Sequence, residues 1–290
     1  MRTAALAAVL LTLMATAASH AAPAPAARPA VEFTAHRGES HDAPENTLAA
    51  FKLAWERGDA AVELDVHLTK DGKLIVSHDA DTLRATGGEK GAAGTAGTKM
   101  VIKDHTADEL RKLDVGSWKG KQFAGERLPL LDEALATIPP GDHRLFVEVK
   151  VGPEAVPELV KCVERAGKPA KQIVVIAFNH DTAAAAKKAL PAHKVYWLAQ
   201  QKQDKATKAW APTGDELLAK AKAANADGID ISYKSPCVDA AFVAKAKAMG
   251  LEVYVWTVDD PAAAKALIEA GVNGVTTNRA AWLKEQVVGK

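Results

Sequence analysis

The stretch Ala60 to Leu68, AAVELDVHL, alternates apolar and charged residues from Val62 to Val66. Successive side chains of a β-strand point to opposite faces, so Glu63 and Asp65 face one way while Val62, Leu64 and Val66 face the other. The pattern recurs at Leu145 to Val151, LFVEVKV, where Glu148 and Lys150 share a face. Around these two runs the chain alternates short β-rich segments with segments of helical period. Strands are predicted over Val31–Ala35, Ala61–Val66, Leu74–Ser77, Leu145–Val149, Ile173–Phe178, Val195–Leu198, Gly228–Ser232, Val253–Trp256 and Gly274–Thr276. Helices are predicted over Asn46–Arg57, Leu130–Thr137, Glu154–Ala166, Asp181–Leu190, Asp215–Ala224, Asp239–Met249 and Pro261–Ala270. In the first of these Leu48, Phe51 and Trp55 lie on one face, Asn46 is a candidate cap and Gly58 follows the end. Such alternation argues for a parallel sheet, and this number of strands predicts an α/β fold closed into a (β/α)8 TIM-type barrel. An open doubly wound sheet is the alternative, but no GxGxxG or GxxxxGKS follows a strand.

The composition suits such a core. Of 290 residues 48% are hydrophobic and 25% charged, which excludes a disordered chain. Lys and Arg exceed Asp and Glu by 37 − 36 = 1 and are scattered, so no nucleic-acid partner is expected. Residues 1–21 read as a cleaved signal peptide: Met1-Arg2 gives a positive start, Thr3 to Ala18 is uncharged and rich in Ala and Leu, and Ser19-His20-Ala21 offers a cleavage site. A Pro/Ala-rich linker, residues 22–30, follows in place of a basic stop, so export to a periplasmic or secreted location is expected and no stable membrane anchor. The barrel domain is then 31–290, interrupted after the third strand by an insertion at about 80–127 that holds a glycine-rich run and a short amphipathic piece. A mobile surface loop and a lid or substrate-side subdomain are both open for it. Two cysteines, Cys162 and Cys237, are not brought together by any pattern, and a pair of buried thiols is expected over a disulfide.

Inside a barrel Glu63, Asp65 and Glu148 would be desolvated and mutually repelled without positive charge between them. A divalent cation removes the difficulty, and carboxylates without a Cys/His cluster suit Mg²⁺ or Ca²⁺ over zinc. A rim salt-bridge network with Lys150 is the other reading. Two predicted strands end in histidine: VEFTA leads to His36-Arg37 and KLIVS to His78-Asp79. A lone histidine there is usually a satisfied polar residue. Two, at the strand ends where barrel enzymes place their sites, are candidates for general base and general acid. With Arg37 and Lys150 beside a cation, they fit an anionic phosphoryl substrate.

The run AHRGESHDAPENTLAAFKLAWERGDAAVELDVHLTKDGKLIVSHD, Ala35 to Asp79, resembles the opening motif of the glycerophosphodiester phosphodiesterase family. LDVGSWKGKQFAGERLPLLDEAL, FVEVK and VYVWTVDDPAAAKALIEAGVNGVTTNR extend the resemblance over nearly all of the chain beyond residue 30. It implies metal-dependent hydrolysis of glycerophosphodiesters to glycerol 3-phosphate and an alcohol, through a cyclic phosphate. His36 and His78 would be the acid/base pair, Glu63, Asp65 and Glu148 the ligands of one divalent cation, Mg²⁺ or Ca²⁺, and Arg37 and Lys150 the phosphate contacts. Trp256 would lie against the substrate's glycerol, or simply pack; Glu45 would brace Arg37, and Asn46 cap its helix. The family commonly has Thr-Asp where this chain has Thr277-Asn278, so Asn278 receives no role. His67 shares a face with Asp65 and is left unassigned, and His41 is expected at the surface. A phospholipase D-type activity on lysolipids or sphingolipids and a non-catalytic phosphodiester-binding barrel are the alternatives; the latter would be favoured by a lost histidine or carboxylate, and none is lost.

Overall fold

A computed structural model describes residues 31–89 and 96–289; the expected signal peptide and linker, and the middle of the glycine-rich run, lie outside the described residues. Eleven strands are formed among them: β1 (Glu32–Ala35), β2 (Ala61–Leu68), β3 (Leu74–Val76), β4 (Arg144–Val149), β5 (Ile173–Ala177), β6 (Lys194–Ala199), β7 (Lys202–Gln203), β8 (Trp210–Ala211), β9 (Gly228–Ser232), β10 (Glu252–Trp256) and β11 (Gly274–Thr277). The helices are α1 (Leu48–Glu56), α2 (Ala107–Leu110), α3 (Leu131–Ala136), α4 (Val156–Ala166), α5 (His180–Ala189), α6 (Gly214–Ala223), α7 (Ala240–Ala248), α8 (Pro261–Ala270) and α9 (Ala280–Val288).

Eight strands, β1, β2, β4, β5, β6, β9, β10 and β11, pair in parallel in that order, and β1 closes the ring by pairing with both β2 and β11. The strand alternation sorts the side chains into two cores. Val62, Leu64, Val147, Val175, Ile229, Val253 and Val275 point outward under the helices. Ala61, Phe146, Val174, Ile176, Tyr196, Leu198 and Tyr254 fill the barrel. Gly274 lies inward beside Tyr254, and a Cβ there would sit 2.3 Å from the ring's Cε1, so only glycine leaves room for that tyrosine. No helix among the described residues is long and apolar enough to cross a membrane.

Four expectations need correction. The third strand is not a stave: β3 runs antiparallel to β2, with Val66 opposite Val76 and Leu68 opposite Leu74. It opens the insertion, whose own apolar cluster is Ile75, Ile102, Leu110, Val115 and Leu128. Helix α1 begins at Leu48, not Asn46, because Asn46 has φ +58° and Thr47 supplies the cap, accepting from Ala50 N–H. Helix α9 was not foreseen, and it packs on β1 and α8. Finally, both thiols are free, but only Cys162 is buried; Cys237 is partly exposed. The other element ends move by one or two residues, as when Asp239 caps α7 from outside.

Candidate active site

All the charged residues singled out in the sequence meet at the end of the barrel where the parallel strands finish. The turn after β1 turns sharply: Arg37 has φ +57° and Gly38 φ +80°, and a Cβ on Gly38 would lie 2.6 Å from the backbone carbon of Ala50. This bend aims the Arg37 amide at Glu63, whose Oε2 accepts from it at 2.9 Å. The Arg37 side chain reaches Glu45 at 3.0 Å and Asp65 at 3.3 Å. Asn46 clasps Asp65 twice, donating from Nδ2 to Oδ2 at 2.8 Å and accepting from the Asp65 amide at 3.2 Å. Lys150 lies 2.8 Å from Glu148 and 3.5 Å from Asp65.

Glu63, Asp65 and Glu148 are all buried, and one oxygen from each lies within 4.8 Å of the others. Burial raises Glu63 well above the usual carboxylate range, helped by Asp65 and Glu148. Burial and then Asp65 push Glu148 up to about 7 against the pull of Lys150. Asp65 pays the same desolvation, yet Arg37 and Lys150 hold it well below the usual range. Two cations thus fail to balance three packed carboxylates. An all-oxygen donor set with this separation and this residual repulsion fits a hard divalent cation.

The histidines flank the cluster by different routes. His36 extends β1 and its amide donates to Thr277 O. Its Nδ1 lies 2.7 Å from Asn278 Oδ1, and Asn278 Nδ2 donates to Asp259 Oδ2 at 2.7 Å. Burial, and next Arg37, push His36 down to about 4. His78 is delivered from above: it follows β3, the returning arm of the β2 hairpin, so no stave ends at it. Its Nδ1 lies 2.7 Å from Asp79 Oδ1, Asp79 accepts from Arg84 at 2.5 Å, and Arg84 reaches Glu45 at 2.6 Å. His67 lies 3.0 Å from the His78 carbonyl through Nε2 and so fixes that turn, while burial lowers its pKa.

A cavity of about 100 Å³ opens on this end, lined by both histidines, Arg37, Glu63, Glu148 and Lys150 on one side and by Ile176, Phe178, Leu198 and Trp256 on the other. Trp256 and Phe178 meet edge to face at 5.5 Å. A larger groove, about 400 Å³ between α7 and α8, carries little besides alkyl groups, Lys247, Glu269 and Asn273. Chemistry, not volume, marks the site. His41 is exposed, beside Asp42, and outside it. Sequence reasoning missed Asp259, Asp79 with Arg84, and Asp230. The alternation that exposed Glu63 and Asp65 applies equally to GIDIS, Gly228 to Ser232, and would have turned Asp230 inward. Nothing local in the sequence joins Asp259 to a histidine 223 positions away (259 − 36).

An eight-stranded barrel with an acidic cluster and two histidines at its C-terminal mouth has the architecture of a phosphoryl-transfer barrel enzyme. Residues 36–281 match the model of the glycerophosphoryl diester phosphodiesterase family. A glycerophosphodiester phosphodiesterase of Caldanaerobacter subterraneus subsp. tengcongensis is 34% identical over 248 residues, 84% of this chain and 92% of that protein. One from Bacillus subtilis is 30% identical over 84% of this chain and 82% of its own. Among solved structures, an Oleispira antarctica phosphodiesterase in complex with the product sn-glycerol-3-phosphate superposes with a TM-score of 0.74 at 26% identity, covering 90% of this chain and 97% of that one. The chain belongs to the glycerophosphoryl diester phosphodiesterase family.

Proposed function

We propose that this protein hydrolyses glycerophosphodiesters to sn-glycerol 3-phosphate and an alcohol, with Glu63, Asp65 and Glu148 holding one divalent cation, Mg²⁺ or Ca²⁺. The observation that carries the reading is the under-neutralised carboxylate cluster, flanked by two histidines and two cations, in a chain of this family. A cation held there would supply positive charge to the phosphate. Arg37 and Lys150 hold the anionic phosphate. Asn278 has committed its amide nitrogen to Asp259, so its oxygen faces His36 and the proton of that imidazole sits on Nδ1. Nε2 is left with a lone pair, and His36 takes the proton of the glycerol hydroxyl that attacks phosphorus. His78 is placed to donate to the departing alkoxide: burial, the largest effect, lowers its pKa, while Asp65 and the Asp79 carboxylate on its Nδ1 pull back toward the imidazolium. Water then opens the cyclic phosphate with the two roles reversed. Glu45 links Arg37 to Arg84 and so ties the phosphate contact to the His78 support.

Purified protein supplied with Mg²⁺ or Ca²⁺ is expected to release sn-glycerol 3-phosphate from glycerophosphocholine. Turnover of lysophosphatidylcholine alone would move the reading to a phospholipase D-type enzyme, and tight binding without turnover to a binding protein. Nothing in the site favours either alternative. Export rests on residues 1–21; the protein recovered outside the cytoplasm is expected to begin at or near Ala22, and an intact Met1 on it would refute this.

A further inference from the structure

One carboxyl in the cavity is used by none of these steps. Asp230 lies on β9, opposite Leu198 of β6 and Tyr254 of β10, and faces the barrel interior. The residue is 2% exposed, and its Oδ1 is buried without a hydrogen-bond partner. Its backbone carbonyl is engaged, accepting from Trp256 Nε1 at 3.2 Å, which fixes the strand beside the side chain. Every other carboxylate of this barrel end has a donor against it: Glu63 the Arg37 amide, Asp65 Asn46 and Arg37, Glu148 Lys150. Asp230 has a cavity against it, in the otherwise apolar wall formed by Ile176, Leu198 and Trp256.

A buried polar atom left unpaired is costly, and one that lines a cavity is completed by what the cavity binds. The cations of the site, Arg37 and Lys150, belong to the carboxylate cluster, so the phosphate end of a substrate goes there. What remains for the far wall is carbon: the glycerol moiety, common to every glycerophosphodiester while the head group varies, carries two neutral hydroxyls, one the nucleophile at His36 and the other free to reach across the cavity. Resting on the function proposed above, we infer that Asp230 is a specificity-determining residue that hydrogen-bonds a glycerol hydroxyl of the substrate and so selects glycerol esters over plain alkyl esters. Burial, and after it Glu148, push the Asp230 carboxyl up to about 8, and the neutral form both donates to and accepts from a hydroxyl. That same environment, with no cation facing it, makes Asp230 a poor partner for the phosphate.

The test compares two phosphates with one carbon skeleton, sn-glycerol 3-phosphate and 1-propyl phosphate, binding to metal-loaded full-length protein by calorimetry. The wild type is expected to prefer the glycerol ester by on the order of tenfold or more. In Asp230→Ala and Asp230→Leu the preference should fall to within about twofold, and kcat/KM for glycerophosphocholine should fall by a similar factor through KM. Asp230→Asn, which keeps the shape, serves if either variant fails to fold, and should retain part of the preference. An undiminished preference in the folded variants would overturn the inference, as would a wild type that does not discriminate. So would loss of Mg²⁺ binding in Asp230→Asn, which would make the residue a metal ligand. If the wild type discriminates but turns over no glycerophosphodiester, the proposed function falls while the assignment of Asp230 stands.

Discussion

The two ends of the barrel are both lined by charges and resolve them differently. At the end where the strands begin, Arg144 of β4 meets Glu32 of β1 at 2.9 Å and the hydroxyls of Tyr254 and Tyr196 at 2.9 and 3.1 Å. Glu252 of β10 takes Lys194 at 2.9 Å and the Tyr196 hydroxyl. Two cations face two carboxylates, although burial still raises Glu32. At the end where the strands finish, Arg37 and Lys150 face Glu63, Asp65 and Glu148. Strand β4 carries Arg144 at one end and Glu148 at the other. A buried charge needs a partner, so the balanced end pairs its charges as folded, although Glu32 Oε1 is left without a donor, and the unbalanced end reaches balance only with something positive bound. The imbalance, more than any single residue, identifies the working end.

The hardest blow to this contrast is to change the unbalanced end by one charge. Asp65→Asn and Glu63→Gln should each lower glycerophosphocholine turnover by on the order of 10³-fold, several kcal/mol of lost charge stabilisation. Their metal-free stabilities should diverge. Asp65 is held ionised by Arg37 and Lys150, so its neutral variant gives up favourable pairing; Glu63 is pushed toward protonation, so Glu63→Gln should leave the chelated protein at least as stable at pH 8. Full turnover in either variant, or in protein shown metal-free by elemental analysis, would mean the carboxylates form only a salt-bridge network.

Next in size are the histidines, which share the working end but lie outside its charge imbalance. His36→Ala and His78→Ala should each reduce kcat by on the order of 10²-fold with the circular dichroism spectrum kept. Metal affinity measured by calorimetry should stay near the wild-type value, which separates proton transfer from cation binding. Loss of fold with activity per folded molecule preserved would return both residues to a structural role.

The alternation of AAVELDVHL and LFVEVKV was enough to show which side chains would face inward, because a strand's period is local and a parallel barrel repeats it. What stayed hidden depends on contacts that no local pattern encodes. The antiparallel turn of β3 was hidden because an apolar run of three residues has the same composition in either direction. Type and position alone make Asn46 a candidate cap; only the fold shows that a positive φ removes it from the helix and that its amide is taken by Asp65. The His36, Asn278 and Asp259 chain joins loops from β1, β11 and β10, which the closure of the barrel brings together.

The balanced end offers the complementary break. Arg144→Met leaves Glu32 and two tyrosine hydroxyls without their donor, which should cost about 2–3 kcal/mol of stability. Turnover per folded molecule and metal affinity should stay near wild type. A variant that kept its melting temperature but lost activity would show that the two ends are not independent.

The smallest effect is a pH slope, and it tests the imbalance directly. Glu148 has its pKa pushed up to about 7 in the fold, first by burial and then by Asp65, from an ordinary value of 4.5. A group whose folded pKa exceeds its unfolded value contributes stability that is fully present below the unfolded pKa and lost as pH rises through the folded one. Metal-free protein should therefore lose stability between about pH 4.5 and 7, by at most about 1.4 kcal/mol per pH unit for this proton. Bound cation needs the ionised carboxylate, so the Glu148 contribution to metal affinity should rise over the same window and level off above it. Calorimetry in buffers of different ionisation enthalpy should find more protons released on Mg²⁺ binding at pH 6 than at pH 8.5, because the Glu148 proton is gone by the higher pH. Arg144→Met should keep that slope, since its charges lie at the other end, whereas Glu148→Gln should flatten it. A flat profile in the wild type would mean that Arg37 and Lys150 already neutralise the cluster in the metal-free fold, and the difference between the two ends would disappear.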